Sequence, residues 1–246
     1  MTLLLLAGTG EAKHIAWGLA DTNIKVVASL AGATRSPDPL PVTTRIGGFG
    51  GDDGFCTYLR EFSISAVLDA THPFAARISN RTARICFDLG LPYAQIVRPV
   101  WEPTNGDNWT SITKPCEAKN HIPNGSTVFI ATGRQTLSEY QNLSGRRILV
   151  RMIDPPNMPL PFEGGEFVIG RPPFTQASEV KLFCSLGVTH LVSKNAGGQG
   201  GRAKLDAARE LGLPVLLLDR PQTPDAQQLE TVQDALLWVS SLVATP

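Results

Sequence analysis

At 246 residues the chain is long enough for one large domain or two small ones, each with its own core. Twenty-two basic residues balance twenty-two acidic ones, which gives no reason to expect nucleic acid or another polyanion as partner. No apolar run reaches the ~18 residues of a membrane-spanning helix, and the leucines at Leu3–Leu6 are too few, with no basic stretch before them, for a signal peptide.

Leu3–Ala7 therefore reads as a buried parallel strand, and Ala12, Ile15, Ala16 and Leu19 place one apolar face on the helix that follows. Lys25–Leu30 is the second strand. Phe55, Tyr58, Leu59 and Phe62 mark the next helix, and Ser65–Ala70 is a short apolar strand. Ile78, Ile85, Cys86 and Leu89 give another amphipathic helix stopped by Gly90, and the strand Tyr93–Val97 follows. Strands separated by helices must pair in parallel. The stretch from Pro99 to Asn124, rich in Pro, Asn, Thr and Trp, breaks the alternation and suggests a domain crossing. A second series then runs through strands Val128–Ala131, Arg147–Met152, Phe167–Gly170, His190–Ser193 and Pro214–Leu218. Ala177, Val180, Cys184 and Gly187 mark one helix face in this half, and Leu205, Ala208 and Leu211 another. Val232, Ala235, Leu236 and Val239 mark the closing helix. The fold class is thus α/β, with two similar halves at 1–98 and 99–246, each a mainly parallel sheet flanked by helices, with a cleft expected between them. Cys56, Cys86, Cys116 and Cys184 form no CxxC and have no histidine pair nearby, so reduced structural thiols in the cytoplasm are expected, with no metal site.

After the first strand comes Ala7-Gly8-Thr9-Gly10-Glu11, and then a helix begins. Glycines there let the backbone approach a pyrophosphate, and a helix N-terminus supplies N–H donors. Lys13 stands where the third small residue of GxGxxG belongs, so the position after a first strand carries more weight than the pattern. NAD sites usually place an acid about 20 residues beyond the glycines. No acid occurs here between Asp21 and Asp38, and Ser29, Thr34 and Arg35 suit a 2′-phosphate instead. NADPH is the expected cofactor; the plainer reading of Arg35 is a solvated loop residue.

Asp69-Ala70-Thr71-His72-Pro73-Phe74-Ala75 falls where the third expected strand ends, at the carboxyl edge that binds ligands in such sheets. His72 suits an acid–base role, a hydrogen bond to the cofactor amide, or bracing of the loop. Asp69 suits bracing. Ser193-Lys194-Asn195-Ala196-Gly197-Gly198-Gln199-Gly200-Gly201, followed by Arg202 and Lys204, has the makings of an anion cradle but lacks the GK[ST] ending of a P-loop. Arg134, Arg151 and Arg171 at strand ends of the same half point together to an acidic small molecule. A short-chain reductase reading is weak, because Tyr58, Tyr93 and Tyr140 are followed four residues later by Phe62, Val97 and Ser144 instead of lysine.

Three of these motifs, in this order, resemble the precorrin-6A reductase family of cobalamin biosynthesis. They are Ala7–Glu11, close to a GGTxE opening with alanine for the first glycine; Asp69–Ala75; and Ser193–Gly201 with Lys204, Leu211-Gly212-Leu213-Pro214-Val215 and Arg220-Pro221. The resemblance spans the chain and implies a cytoplasmic enzyme with two Rossmann-like domains, the 1–98 half binding the cofactor and the 99–246 half the substrate. It implies hydride transfer from NADPH to a carbon–carbon double bond of a corrin-precursor macrocycle bearing many carboxylates, metal-free or cobalt-bound. On that basis Gly8, Thr9, Gly10 and Glu11 hold the pyrophosphate and ribose, and Ser29 and Arg35 the 2′-phosphate. Thr71, His72 and Pro73 lie at the nicotinamide. Arg134, Lys194, Gly198, Gly201, Arg202 and Lys204 bind the tetrapyrrole, and the proton comes from water, Lys194 or His72. A domain that senses NADPH without turnover is the non-enzymatic rival. Nothing in the sequence reveals the oligomeric state.

Overall fold

The leucine run near the start of the chain forms an inner strand of a parallel sheet, as apolar character on both faces requires. The computed structural model describes residues 1–32, 38–156 and 159–244. They fall into two units, Met1–Pro99 with Pro221–Pro246, and Val100–Arg220.

In the first unit, β1 (Thr2–Leu6), β2 (Lys25–Leu30), β3 (Thr43–Ile46), β4 (Ala66–Asp69) and β5 (Tyr93–Ile96) alternate with α1 (Gly10–Leu19), α2 (Gly51–Glu61) and α3 (Ala76–Leu89). Successive residues of β1 face opposite sides. Leu3 and Leu5 meet α1 residues Ala12, Ile15 and Leu19, whereas Leu4 and Leu6 meet Phe55, Leu59 and Ile85 on the other face. Leu3, Leu4 and Leu5 are fully buried; truncating any one to alanine would cost about 2–5 kcal/mol.

The second unit holds β6 (Trp109–Ile112), β7 (Thr127–Ala131), β8 (Arg147–Met152), β9 (Gly165–Ile169), β10 (His190–Lys194) and β11 (Val215–Leu218), with α4 (Gln176–Leu186) and α5 (Ala203–Glu210). Two 3₁₀ turns, Pro115–Asn120 and Arg134–Tyr140, follow β6 and β7. The chain ends with β12 (Gln227–Leu229) and α6 (Val232–Ala244).

Both sheets are parallel throughout. The first runs β12-β5-β4-β1-β2-β3 and the second β6-β11-β10-β7-β8-β9. Each follows the 3-2-1-4-5-6 order of dinucleotide-binding sheets, with the sixth place filled from outside the run. Each also reverses its direction of growth once, between β1 and β4 in the first unit and between β7 and β10 in the second.

Two expectations need correction. Residues 221–246, assigned from sequence to the second domain, belong to the first unit. There β12 pairs with β5, and Leu229, Ala235, Trp238 and Val239 complete the core over Leu3 and Leu5. On α4 the inward residues are Glu179 and Phe183, whereas Cys184 is exposed. A buried glutamate had no place in an apolar count, but Arg151 pairs with it at 3.1 Å and makes that burial tolerable. Among the described residues no helix is long and apolar enough to cross a membrane.

Candidate active site

The first unit brings its glycine turn and the Asp69–Ala75 loop together at the strand reversal, where open α/β sheets bind ligands. Thr9 makes the link. Its hydroxyl accepts from the Ala12 N–H at 3.2 Å, capping α1, and donates to the Ala70 carbonyl at 2.8 Å. Gly8 sits at φ +137°, a conformation that side chains rarely adopt, and among the described residues beyond its chain neighbours no atom lies within 4 Å of where a Cβ would stand. A small pocket here is lined by Thr9, Glu11, Thr71, Pro73, Ile96 and Arg98.

Four of those six residues were expected; Ile96 and Arg98 were not. Arg98 Nη1 lies 2.6 Å from Glu11 Oε2, and both side chains are largely buried. Burial pushes the Glu11 carboxyl up. The Arg98 hydrogen bond and charge, with its own backbone N–H and Thr9, outweigh burial and hold it below its ordinary value. Arg98 escaped notice because nothing local marks it: it acts from the end of β5, 87 positions from its partner.

Asp69 braces the loop, as its position suggested. Fully buried, it accepts the Thr71 N–H at 2.9 Å and the Tyr93 hydroxyl at 3.0 Å. Burial and the Asp69 charge push the Tyr93 phenol far up, so it stays protonated and donates. His72 Nδ1 accepts the Phe74 N–H at 3.2 Å, which puts the proton of the neutral ring on Nε2.

Ser29 stands apart from this pocket, with Arg45 Nη1 at 2.7 Å from its hydroxyl. Arg45 lies on β3, a strand the sequence reading missed. Arg35 lies outside the described residues.

In the second unit the strand reversal sets Ala131, at the end of β7, opposite Ser193 on β10; Gly133 and Arg134 follow the one strand, and Lys194 closes the other. Arg134 is exposed. Burial lowers the pKa of Lys194, and the charge of Glu139 offsets part of that. The loop after Lys194 is held by its carbonyls. Arg220 Nε donates to the Asn195 carbonyl at 2.8 Å, Trp101 Nε1 to that of Gly198 at 2.8 Å, and Lys204 Nζ to that of Gly201 at 2.7 Å. The Asn195 side chain pairs with both the N–H and the carbonyl of Trp101. With those carbonyls taken, and Gly197 and Gly198 both left-handed at φ +64° and +71°, the loop keeps backbone N–H donors of the kind an anion accepts. The Gly197, Gly198 and Gly200 N–H groups have no backbone acceptor among the described residues.

The other expected cations occupy supporting places. Arg202 pairs with Asp206 at 2.9 Å and Asp107 at 3.7 Å. Lys204 is pushed down to about 8 by burial, with Glu179 and Arg151 acting in opposite senses. Arg151 is paired with Glu179, and Arg171 with Asp154. Trp101 and Asn195 went unassigned because their work is backbone pairing, which leaves no pattern in sequence.

The model of the family described as precorrin-6x reductase CbiJ/CobK matches residues 2–240. The chain belongs to the precorrin-6x reductase family. A precorrin-6A reductase of Rhodobacter capsulatus is 42% identical over 99% of this chain and 98% of its own length. One from Rhodococcus erythropolis is 40% identical, covering 98% of each. A cobalt-precorrin-6A reductase of Priestia megaterium is 28% identical over 89% of this chain and 91% of its own. The solved structure of a CobK precorrin-6A reductase superposes with a TM-score of 0.93 at 41% identity, covering 98% of this chain and 96% of that one.

Proposed function

We propose that this chain is a precorrin-6A reductase that takes its hydride from NADPH, with the cofactor on the first unit and the carboxylates of the tetrapyrrole on the second. The observation that carries this reading is the pocket at the first strand reversal, where the open Gly8 backbone and the capped start of α1 meet the Asp69–Ala75 loop. A pyrophosphate fits such a turn, because its oxygens need close backbone approach and the N–H groups of a helix N-terminus. When bound, a reduced nicotinamide supplies the hydride that reduces a carbon–carbon double bond of the macrocycle.

The chain's own residues orient and balance charge. Gly8, Thr9 and Gly10 present backbone to the pyrophosphate. Arg98 neutralises Glu11, whose carboxylate would otherwise repel it. Thr71, His72 and Pro73 line the nicotinamide end, fixed by Asp69. Arg134, Lys194 and the N–H groups around Gly198 and Gly201 hold substrate carboxylates. Lys204 anchors that loop through the Gly201 carbonyl, and Arg202 through its backbone N–H on the Gln199 carbonyl. Lys194 Nζ, its pKa lowered by burial, is also suited to giving a proton to the product. A cytoplasmic setting suits four free cysteines and a nicotinamide cofactor.

Identity to the named relatives favours the metal-free substrate: 42% to the Rhodobacter capsulatus precorrin-6A reductase against 28% to the cobalt-precorrin-6A reductase of Priestia megaterium. The test is loss of NADPH absorbance on adding precorrin-6A or its cobalt complex. Turnover with precorrin-6A is expected. Tight NADPH binding with no oxidation by either tetrapyrrole would instead identify a sensor.

A further inference from the structure

We infer that Arg45, together with Ser29, is the recognition site for the cofactor's 2′-phosphate and sets the preference for NADPH over NADH. The inference rests on the NADPH reading above and names the residue that enforces it. β2 and β3 pair in parallel with Ser29 opposite Arg45, near the carboxyl end of β2, where dinucleotide sheets recognise the ribose 2′ position.

The guanidinium is fixed on several sides. Nη1 donates to Ser29 Oγ at 2.7 Å and to the Gly47 carbonyl at 2.9 Å, and Nη2 donates to the Gly48 carbonyl at 2.9 Å. Its carbon lies 4.0 Å from the centre of the Phe49 ring and 5.1 Å from that of Tyr58. Every one of these partners is neutral. Arg98, Arg147, Arg151 and Arg209 each have a carboxylate partner, whereas Arg45 has none among the described residues. Asp38, the acid that follows β2 in sequence, is bonded to Lys13 at 3.0 Å. Arg45 thus keeps an uncompensated charge in a fixed orientation. Three of its five N–H groups are used, which leaves the Nε–H and one Nη2–H. Two donors on a planar cation match two oxygens of a phosphate, and Ser29 adds a third polar contact. An adenosine 2′-hydroxyl, uncharged, gains far less from such a cation.

The experiment is calorimetric binding of NADP⁺ and NAD⁺, and of adenosine 2′,5′-bisphosphate and 5′-AMP, to the full chain and to Arg45→Met and Arg45→Lys. The native chain is expected to prefer NADP⁺. Arg45→Met keeps an unbranched stem over Phe49 and should lower the NADP⁺/NAD⁺ affinity ratio about 10- to 100-fold, the scale of charge-assisted hydrogen bonds. Arg45→Lys keeps the charge without the fork and should fall between. An unchanged ratio, including one in which both affinities fall together, overturns the inference while the NADPH reading stands. A native chain without preference for NADP⁺ overturns that reading itself. Should Arg45→Met fail to fold by circular dichroism, the bisphosphate-to-AMP ratio of Arg45→Lys decides: a several-fold drop supports the inference, and no drop overturns it.

Discussion

Replacing Thr9 by valine keeps the shape of the side chain and removes one hydroxyl that does two things. It caps α1 through the Ala12 N–H, and it ties the glycine turn to the Ala70 carbonyl at the end of β4. Losing a threonine cap costs about 1 kcal/mol, within a range of about 0.5–2. Losing a partly buried hydrogen bond to a carbonyl costs about 1 kcal/mol more. The two share one atom and will not add cleanly, so a loss of about 1–2 kcal/mol is expected, roughly 5- to 30-fold in the folded-to-unfolded ratio. Urea unfolding of the full chain measures this, and amide exchange at Ala12 assigns it to the first unit. NADP⁺ affinity should fall in parallel, because the two loops that flank the pocket are no longer tied. Thr9→Ser retains the hydroxyl and is the control. A Thr9→Val chain within about 0.5 kcal/mol of native, or a Thr9→Ser chain as damaged as Thr9→Val, would refute the reasoning.

Other expectations follow from the same geometry. Asp69→Ala strands the Tyr93 hydroxyl and the Thr71 N–H and should cost about 2–4 kcal/mol in urea unfolding; under about 1 kcal/mol would show that neither bond matters. Glu11 has a folded pKa below its ordinary 4.5, so its contribution to stability is present above that value and is lost as pH falls through the folded one. Stability measured between about pH 3 and 6 should therefore lose part of its acid limb in Glu11→Gln, and an unaltered limb would contradict the pairing with Arg98. A chain ending at Arg220 lacks β12 and α6 and should lose NADP⁺ binding with the cooperative unfolding of the first unit; retention of both would mean that the C-terminal segment is dispensable.

How much of this was legible follows from where each signal resides. Inner strands such as β1, β4, β7 and β10 are apolar on both faces and declare themselves as runs. The strands that went unseen, β3, β6 and β12, all lie at sheet edges, and Thr43-Thr44-Arg45-Ile46 and Gln227-Gln228-Leu229 carry too few apolar residues to register. The return of the C-terminal segment was hidden for the same reason: α6 announced a helix, but only the three residues of β12 connect it to β5. At the candidate site, the glycines, Thr71, Pro73 and Lys194 stand out in sequence because their residue types suit anions and loop ends. Arg98, Arg45 and Trp101 do not, because each acts through a partner distant in sequence or through a backbone carbonyl.

A chain with no net charge can still present positive sites if its acids are matched inside each unit. In the second unit Asp107 and Asp206 bind Arg202 and Arg209, Glu179 binds Arg151, and Asp154 binds Arg171. Arg134, just past the end of β7, has no carboxylate partner among the described residues, and the adjacent strand β10 ends in Lys194 and a loop with several of its carbonyls already bonded. In the first unit Glu11 is matched by Arg98, while Arg45 keeps its charge. Positive potential therefore concentrates where the second sheet reverses and where β2 and β3 end. A weak, multiply charged acid such as a corrin precursor would feel these places more than the balanced remainder of the surface, and its binding should weaken as salt rises over the range where a Debye length shrinks from about 10 Å to 3 Å. Measuring KM for the tetrapyrrole from about 0.1 to 1 M salt tests this directly: a flat profile would mean that Lys194, Arg134 and the glycine loop do not meet the substrate's carboxylates.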